Sequence, residues 1–295
     1  MSKPLLPTLT QAHAPLTCDI DTVNEYGEHH LVSIPAERPL TVYVDKRELV
    51  TLMTLGASPE LLVLGYLRNQ RLIRDVADIE SITVDWEVGA AAVITRHGIA
   101  DIDEKTSRRV VTTGCGQGSV FGSLMDEVDE IRLPARAGIT QSQLYVLVNT
   151  IRLKESTYKS AGSVHACALF STNGAGPEML LFVEDVGRHN AIDTIAGWMW
   201  MNMAPTLPNA CAGLVFYTTG RLTSEMVIKS AQMGVATVVS RSGITQMGHQ
   251  VAQAVGLCAI GRATNKRFVC YANAQRMTLE PGLVTRPVPA LSAPG

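Results

Sequence analysis

The feature that most constrains the fold is a regular alternation of strand-like and helix-like segments in the second half of the chain. Short apolar runs, typical of buried strands, are separated by segments with helical periodicity. Thr140 and Gln143 have the spacing of a capping box and predict the start of the first helix. Strands joined through helices favour a largely parallel sheet with helices on both faces. We therefore predict a three-layer α/β domain over residues 139–278. The strands are predicted at residues 164–170, 179–183, 214–218, 237–239, 257–260 and 268–271, and the later helices at 189–201, 224–233 and 245–254.

The first half of the chain has less regular periodicity. One helix, preceded by Ser58, is surrounded by strand-like runs at residues 40–44, 48–53, 82–88 and 91–94. These patterns predict a smaller, strand-rich α+β domain over residues 31–138, which ends in a glycine-rich loop over 114–138. Residues 1–30 and the proline-rich residues 279–295 are predicted to be loosely ordered tails.

Composition limits the class of protein. Hydrophobic residues make up 46% of the 295 residues and charged residues 18%, which is enough apolar material for a folded core. The formal net charge of −2 argues against non-specific binding to nucleic acid. No apolar run reaches the roughly 20 residues that span a bilayer, and the N-terminus lacks the apolar core of a secretory signal. We expect a cytoplasmic protein that binds neither nucleic acid nor membrane.

Three turns of the predicted α/β domain carry the same kinds of polar group. Each follows a strand, precedes a helix and contains glycine, hydroxyl or amide groups and one arginine, which is Arg188, Arg221 or Arg241. Because the carboxyl ends of parallel strands meet at one edge of a sheet, these arginines and the adjoining helix N-termini are expected to lie together. A fourth turn, at residues 262–267, adds three cations. The sequence therefore predicts a site for a ligand with several phosphates.

The residues assigned to this ligand site come from all four turns. In the first turn, Asp185 is equally typical of a helix cap, and that interpretation stays open. An arginine in a turn is usually solvated. The assigned residues are Asp185, Gly187, Arg188, Asn190, Gly220, Arg221, Ser224, Arg241, Thr245, Arg262, Ala263, Thr264, Asn265, Lys266 and Arg267.

Neighbouring residues also have simple structural interpretations. Asp193 is equally typical of a charge partner for Arg188, and His189 of a buried imidazole that a carbonyl group satisfies. Glu225 and Lys229, spaced i and i+4, are most simply an ion pair on a helix surface.

Cys115 differs from the other five cysteines. The six cysteines have no Cys-x-x-Cys spacing, so neither a disulfide framework nor a four-thiolate zinc site is indicated. Glycine on both sides of Cys115 leaves its sulfur open to a bulky partner, and nearby cations would favour the thiolate. This residue is either a nucleophile or an incidental loop cysteine. The motifs of zinc deaminases and of Walker-type phosphate loops are absent from the sequence.

Two segments resemble one known family. Residues 184–191 read EDVGRHNA and are followed by Asp193; residues 220–221 read GR, and residues 224–229 read SEMVIK. This pattern resembles the formate dehydrogenase accessory sulfurtransferase family (FdhD), and the likeness extends over residues 36–276. The resemblance implies a cytidine-deaminase-like α/β domain that lacks the zinc chemistry of deaminases.

The resemblance also implies a function. Members of this family accept persulfide sulfur from a cysteine desulfurase and pass it to the molybdenum bis-guanine-dinucleotide cofactor, which enters the catalytic subunit of formate dehydrogenase. By position, Cys115 would bear the persulfide and residues 262–267 would contact the cofactor, of which GDP is a fragment. A homodimer is implied as well. One position departs from the family pattern Cys-Gly-x-Cys-Gly, because Gly118 stands at the second cysteine.

Three function hypotheses follow. The first is a sulfur carrier in which Cys115 is the nucleophile and His189 a proton carrier. The second, motivated by Gly118, is a chaperone that delivers the guanine-dinucleotide cofactor without moving sulfur. The third is a Cys-His hydrolase built from Cys115 and either His165 or His189.

Overall fold

The computed structural model describes residues 5–99, 128, 131–135, 137–154, 156–203 and 211–283. The strands are β1 (Thr8–Leu9), β2 (Thr17–Val23), β3 (His29–Pro35), β4 (Arg38–Val44), β5 (Arg47–Thr54), β6 (Ile79–Asp85), β7 (Ala90–Thr95), β8 (Ile139–Thr140), β9 (His165–Ser171), β10 (Glu178–Asp185), β11 (Leu214–Thr218), β12 (Thr237–Ser240), β13 (Cys258–Thr264), β14 (Arg267–Ala272) and β15 (Met277–Thr278). The helices are α1 (Pro59–Asn69), α2 (Gln141–Leu153), α3 (Thr157–Ser160), α4 (Arg188–Asn202), α5 (Ser224–Gln232) and α6 (Gln246–Ala254). None of the helices in these ranges is long and apolar enough to cross a membrane.

The N-terminal half contains a five-stranded sheet in the order β1-β6-β7-β4-β5. Leu40, Val42 and Val44 alternate along β4, so one face of the sheet lies in the core. Helix α1 covers that face with Leu64 and Leu67, both fully buried. The predicted strand-rich character of this half is confirmed within the described residues.

The prediction of a loosely ordered tail over residues 1–30 is corrected by the structure. Strands β2 and β3 form an antiparallel hairpin that is registered from Thr17 opposite Pro35 to Val23 opposite His29. Most of its side chains are exposed, so the hairpin presents no continuous apolar face to the core. At the other end, Pro281–Leu283 is a single 3-10 turn, and residues 284–295 lie outside the described ranges.

The C-terminal half contains a six-stranded sheet in the order β10-β9-β11-β12-β13-β14. Only β11–β12 and β12–β13 pair in parallel, whereas the other neighbours are antiparallel. The sheet is therefore mixed, and the prediction of a largely parallel sheet is corrected. The reason is that β9–β10 and β13–β14 are hairpins without an intervening helix.

Helices pack on both faces of this second sheet. Leu144, Leu147 and Val148 of α2 pack on one face with Phe170 and Tyr217. On the other face α4, α5 and α6 share a core with Phe216 and Val238. The predicted capping box at the start of α2 is present. The Gln143 backbone N–H donates to Thr140 Oγ1 at 3.2 Å, and the Thr140 backbone N–H donates to Gln143 Oε1 at 3.0 Å.

The two halves meet where α1 packs against α4. A Cβ atom added to Gly65 would lie 1.6 Å from the Asp193 carbonyl oxygen, and one added to Gly197 would lie 2.0 Å from that of Leu61. Only glycine allows the two helix backbones to approach this closely. The proposed division of the chain into domains stays a prediction, but these glycines tie the N-terminal helix to the start of the candidate site.

Candidate functional site

Hydrogen bonds hold the basic turns of the second sheet side by side. The Arg241 N–H donates to the Thr218 carbonyl at 3.0 Å, so the turn after β12 is fixed to the end of β11. Ser240 Oγ donates to the Gly220 carbonyl at 2.6 Å. The Arg262 N–H donates to the Ser242 carbonyl at 2.7 Å, which attaches the β13–β14 turn to the same edge. Three of the four predicted turns are thus adjacent.

These turns line one side of a cavity of about 270 Å³. Of the predicted ligand-binding residues, Arg241, Ala263, Thr264 and Asn265 face it. Cations from the end of α2 and from α3 face it from the other side. The whole lining is Val148, Ile151, Arg152, Ser156, Lys159, Ala166, Phe182, Tyr217, Thr219, Arg241, Ala263, Thr264 and Asn265. We call this space the first cavity.

The cations of the first cavity suit an anionic ligand. Arg152, Lys159 and Arg241 are all exposed to solvent and can reach a phosphate without first being desolvated. The aromatic rings of Tyr217 and Phe182 supply an apolar wall. Sequence reasoning missed Arg152 and Lys159, because no motif relates the end of α2 and α3 to turns that lie many residues later.

Arg188 and Arg221 lie near His165, next to the first cavity rather than in its lining. Burial lowers the pKa of His165, and the charges of Arg188 and Arg221 lower it further. Arg188 is itself buried, with its side chain against Gly220, where an added Cβ would lie 2.7 Å from Arg188 Cδ. Its Nε atom has no hydrogen-bond partner among the described residues. An unpaired buried guanidinium nitrogen is costly, so this atom is a candidate ligand contact.

Asp185 and Asn190 fix the turn that carries Arg188. Asn190 Nδ2 donates to Asp185 Oδ1 at 2.9 Å and lies 2.6 Å from the Met53 carbonyl oxygen. The Thr54 hydroxyl and the Gly187 N–H also donate to the Asp185 carboxyl group. Burial raises the pKa of Asp185. These residues therefore join β5 to the turn, and none of them lines the first cavity.

His189 is buried and its imidazole stays neutral. Burial lowers its pKa to about 2, with further lowering by Lys229 and Arg188. Its Nδ1 atom lies 3.4 Å from Glu225 Oε1 but has no hydrogen-bond partner among the described residues, so the carbonyl partner considered from the sequence is not found at this atom. A group that does not bind a proton near neutral pH is a poor proton carrier. The burial of this imidazole therefore disfavours the proton-carrier role, which stays a prediction.

The other predicted residues have different places. Thr245 Oγ1 accepts the Gly248 N–H at 3.1 Å and caps α6, and Ser224 is the first residue of α5. Arg221, Arg262, Lys266 and Arg267 are exposed and do not line the first cavity.

Glu225 and Lys229 form the predicted ion pair, but the pair does not lie on a helix surface. Lys229 is completely buried, and its Nζ atom lies 2.9 Å from Asp193 Oδ2 and 3.6 Å from Glu225 Oε1. Burial alone would lower the pKa of Lys229, but the two carboxylates outweigh it and the pKa is raised. Asp193 therefore pairs with Lys229 instead of Arg188, and Asn69 Nδ2 also donates to it at 2.7 Å.

Cys115 and Gly118 lie outside the described residues. Of the described thiols, Cys167 is fully buried, and burial raises its pKa to about 12. Cys270 is partly buried, and a hydrogen bond from Cys258, with 3.9 Å between the sulfur atoms, lowers its pKa to about 7. Among the described ranges, no group of three or more His, Cys, Asp or Glu side chains is placed to hold a metal ion.

The fold and the first cavity define a mixed α/β protein with a cation-lined cavity at the carboxyl end of its second sheet. The chain belongs to the FdhD/NarQ family, whose family model matches residues 35–278. This match confirms the family identified from residues 184–229.

Curated relatives cover most of the chain. The sulfur carrier protein FdhD of Bacillus subtilis (strain 168) is 31% identical over 242 residues, which are 82% of this chain and 88% of that protein. The sulfur carrier protein FdhD of Bacillus pumilus (strain SAFR-032) is 29% identical over 262 residues, 89% of this chain and 92% of that protein. A crystal structure described as a formate dehydrogenase accessory protein from Desulfotalea psychrophila has a TM-score of 0.69 at 22% identity and covers 89% of this chain and 100% of that one. The mixed α/β fold is confirmed by this likeness.

Proposed function

We propose that this protein is a sulfur carrier for formate dehydrogenase and acts as a sulfurtransferase. The observation that carries the proposal is the family match over residues 35–278, which spans both halves of the fold and includes Cys115. The relatives from two Bacillus species bear the name of sulfur carrier over more than four fifths of this chain.

The client that receives the sulfur is the molybdenum bis-guanine-dinucleotide cofactor. Its phosphates are negatively charged, and Arg241, Lys159 and Arg152 give the first cavity the matching positive charge. A volume of about 270 Å³ suits one part of this large client, such as the diphosphate of one guanine nucleotide, for which GDP is the simplest probe. Arg188 adds a buried Nε atom without a partner among the described residues. In this proposal the α/β half is a cytidine-deaminase-like domain that serves binding only.

Cys115 is the residue that carries the sulfur. Its thiolate attacks the terminal sulfur of a persulfide on a cysteine desulfurase, the donor's S–S bond breaks, and the donor cysteine leaves as a thiolate. On delivery the S–S bond at Cys115 breaks, the bonding pair returns to the Cys115 sulfur, and the neutral sulfur atom takes two electrons from the molybdenum of the client. A cation next to the anionic persulfide would stabilise it and would also favour the attacking thiolate.

The partners of this function are a cysteine desulfurase and the catalytic subunit of formate dehydrogenase. The reaction fits a cytoplasmic homodimer that exchanges sulfur with the desulfurase and cofactor with the dehydrogenase. Neither nucleic acid nor a membrane has a part in it.

A cofactor chaperone without sulfur transfer is the second candidate. It is favoured by Gly118, since an internal disulfide between the two family cysteine positions cannot form here. The two functions differ in what happens when Cys115→Ala replaces the wild type in cells that lack their own family member. A sulfur carrier predicts loss of formate dehydrogenase activity, whereas a chaperone predicts that the activity survives.

A further inference from the structure

A second cavity lies at the opposite end of the α/β half. Its volume is about 480 Å³, and four of its lining residues are arginines. None of the described residues that line it is acidic. The lining consists of Arg68, Arg71, Ile73, Arg74, Ile131, Arg132, Trp200, Ala231, Gln232 and Gly234. We call this space the arginine cavity.

The arginine cavity is separate from the first cavity. Thr219 and Arg241 place the first cavity at the carboxyl ends of β11 and β12. Gln232 and Gly234 place the arginine cavity beyond the other end of α5, just before β12 begins. The nine residues of α5 span about 13 Å, so the two cavities lie on opposite edges of the sheet.

Protein contacts orient two of the guanidinium groups in advance. Arg68 Nη1 donates to the Ala196 carbonyl at 3.0 Å, and its guanidinium lies 5.2 Å from the centre of the Trp200 ring. The side-chain amide of Gln232 satisfies its oxygen and nitrogen when the two atoms exchange places. In that orientation the oxygen accepts hydrogen bonds from Arg71 Nε at 3.0 Å and from Arg71 Nη2 at 3.1 Å. Such fixed groups lose little conformational entropy when a ligand binds.

The positive charge exceeds what the helix ends require. A cation near the last turn of a helix stabilises the carbonyl groups there, and Arg68 in the last turn of α1 has this position. Arg74 and Arg132 belong to no helix and are exposed. Burial lowers the pKa of Arg68 only to about 10, so it remains charged at neutral pH.

We propose that the arginine cavity binds a diphosphate group, inorganic or carried by a small organic molecule. The charge of a diphosphate complements four guanidinium groups, and planar guanidinium groups bind phosphate oxygens in pairs. The cavity volume of about 480 Å³ is within the range of small-molecule sites, roughly 300–1,000 Å³. Ile73, Ile131 and Trp200 provide an apolar wall for an organic part. This inference does not depend on sulfur transfer.

Calorimetric titration of the full chain with inorganic diphosphate tests the proposal. The titrations use an Arg241→Gln background, which weakens the first cavity. Binding is expected to persist there and to weaken by roughly tenfold or more when Arg74→Gln and Arg132→Gln are added, because both replaced side chains are exposed and contribute charge rather than packing. Adding Arg47→Gln, an exposed arginine of β5, is the matched control and should leave the affinity unchanged.

Three results would overturn the proposal. The first is the absence of diphosphate binding in the Arg241→Gln background, and the second is an affinity that Arg74→Gln and Arg132→Gln leave unchanged. Tighter binding of a glutamate-rich peptide than of diphosphate would overturn it too. Titration with adenosine diphosphate distinguishes the two kinds of ligand. A higher affinity than for inorganic diphosphate would indicate that the apolar wall binds an organic group, whereas an equal affinity would indicate a site for diphosphate alone.

Discussion

The Lys229 ammonium group lies 2.9 Å from the Asp193 carboxylate, and both side chains are completely buried. The pair connects α5 to α4 beneath the turn that carries Arg188 and His189. Asn69 of α1 donates to the same carboxylate, so three helices share one charged contact. The network therefore fixes α1, α4 and α5 to one another.

Removing one partner of this buried pair should strongly destabilise the protein. We expect Lys229→Met to lower the free energy of unfolding by about 3 to 5 kcal/mol, because Asp193 would be left buried without its cation. Urea unfolding measures the change, and Lys266→Met, at an exposed lysine, is the control. Adding Asp193→Asn should restore part of the loss, since no charge then remains buried. A loss below about 1 kcal/mol for Lys229→Met would contradict the pairing.

The close contact between α1 and α4 predicts an unusual response to alanine. Helix propensity alone would make Gly197→Ala stabilising by about 1 kcal/mol. Because the new Cβ would lie 2.0 Å from the Leu61 carbonyl oxygen, we expect destabilisation by about 1 to 3 kcal/mol or more instead. Gly176→Ala is the matched control, since its Cβ would meet no atom within 4 Å. The melting temperature shows whether Gly197→Ala stabilises or destabilises the protein, and a stabilised variant would disprove the contact.

The buried neutral His189 makes stability depend on pH. Its folded-state pKa of about 2 lies below the unfolded value near 6.5, so the unfolded chain binds more protons as the pH falls below 6.5. The contribution is complete above that pH and declines below it, by about 2 kcal/mol between about pH 8 and pH 5. In urea unfolding, the free energy of unfolding of His189→Asn should therefore fall less steeply toward acid pH than that of the wild type. The exposed control His97→Asn should not show this change. Equal slopes for His189→Asn and the wild type would be inconsistent with a buried neutral imidazole.

GDP should bind against the β13–β14 turn. We expect it to slow amide hydrogen exchange in residues 263–267, next to Arg241, as measured by mass spectrometry. Arg241→Gln should raise the GDP concentration needed for this protection by roughly tenfold, because one charge-assisted contact is lost. Arg47→Gln is the control. Protection confined to other segments, or unaffected by Arg241→Gln, would place the nucleotide elsewhere.

Local patterns predicted the parts of the fold that depend on neighbouring residues. The Thr140–Gln143 capping box and the helix now observed at Arg188–Asn202 are both confirmed, because each is determined by spacing along the chain. The β2–β3 hairpin was missed because most of its side chains are exposed and mark no buried face. Hairpins in place of helical crossovers made the second sheet mixed, and the strand pattern alone does not show the direction of pairing.

The site was predicted where its residues lie on one sheet edge and missed where distant segments meet. Arg241 and residues 263–265 lie together because β11, β12 and β13 are neighbours, as the strand order requires. Lys229 was predicted to lie on the surface because Glu225, four residues earlier, has the spacing typical of an ion pair on a helix surface. Its burial depends on Asp193, which lies on another helix. Lys159 reaches the first cavity from α3, which no local motif connects to the turns.

Transfer of labelled sulfur tests directly whether Cys115 accepts sulfur from a cysteine desulfurase. The chain would be incubated with a cysteine desulfurase and ³⁵S-cysteine, and the labelled peptide identified by mass spectrometry. We expect one added sulfur atom on Cys115, no labelling of Cys115→Ala, and normal labelling of the controls Cys270→Ala and Arg241→Gln. Undiminished labelling of Cys115→Ala, or labelling that moves with Cys270, would contradict it.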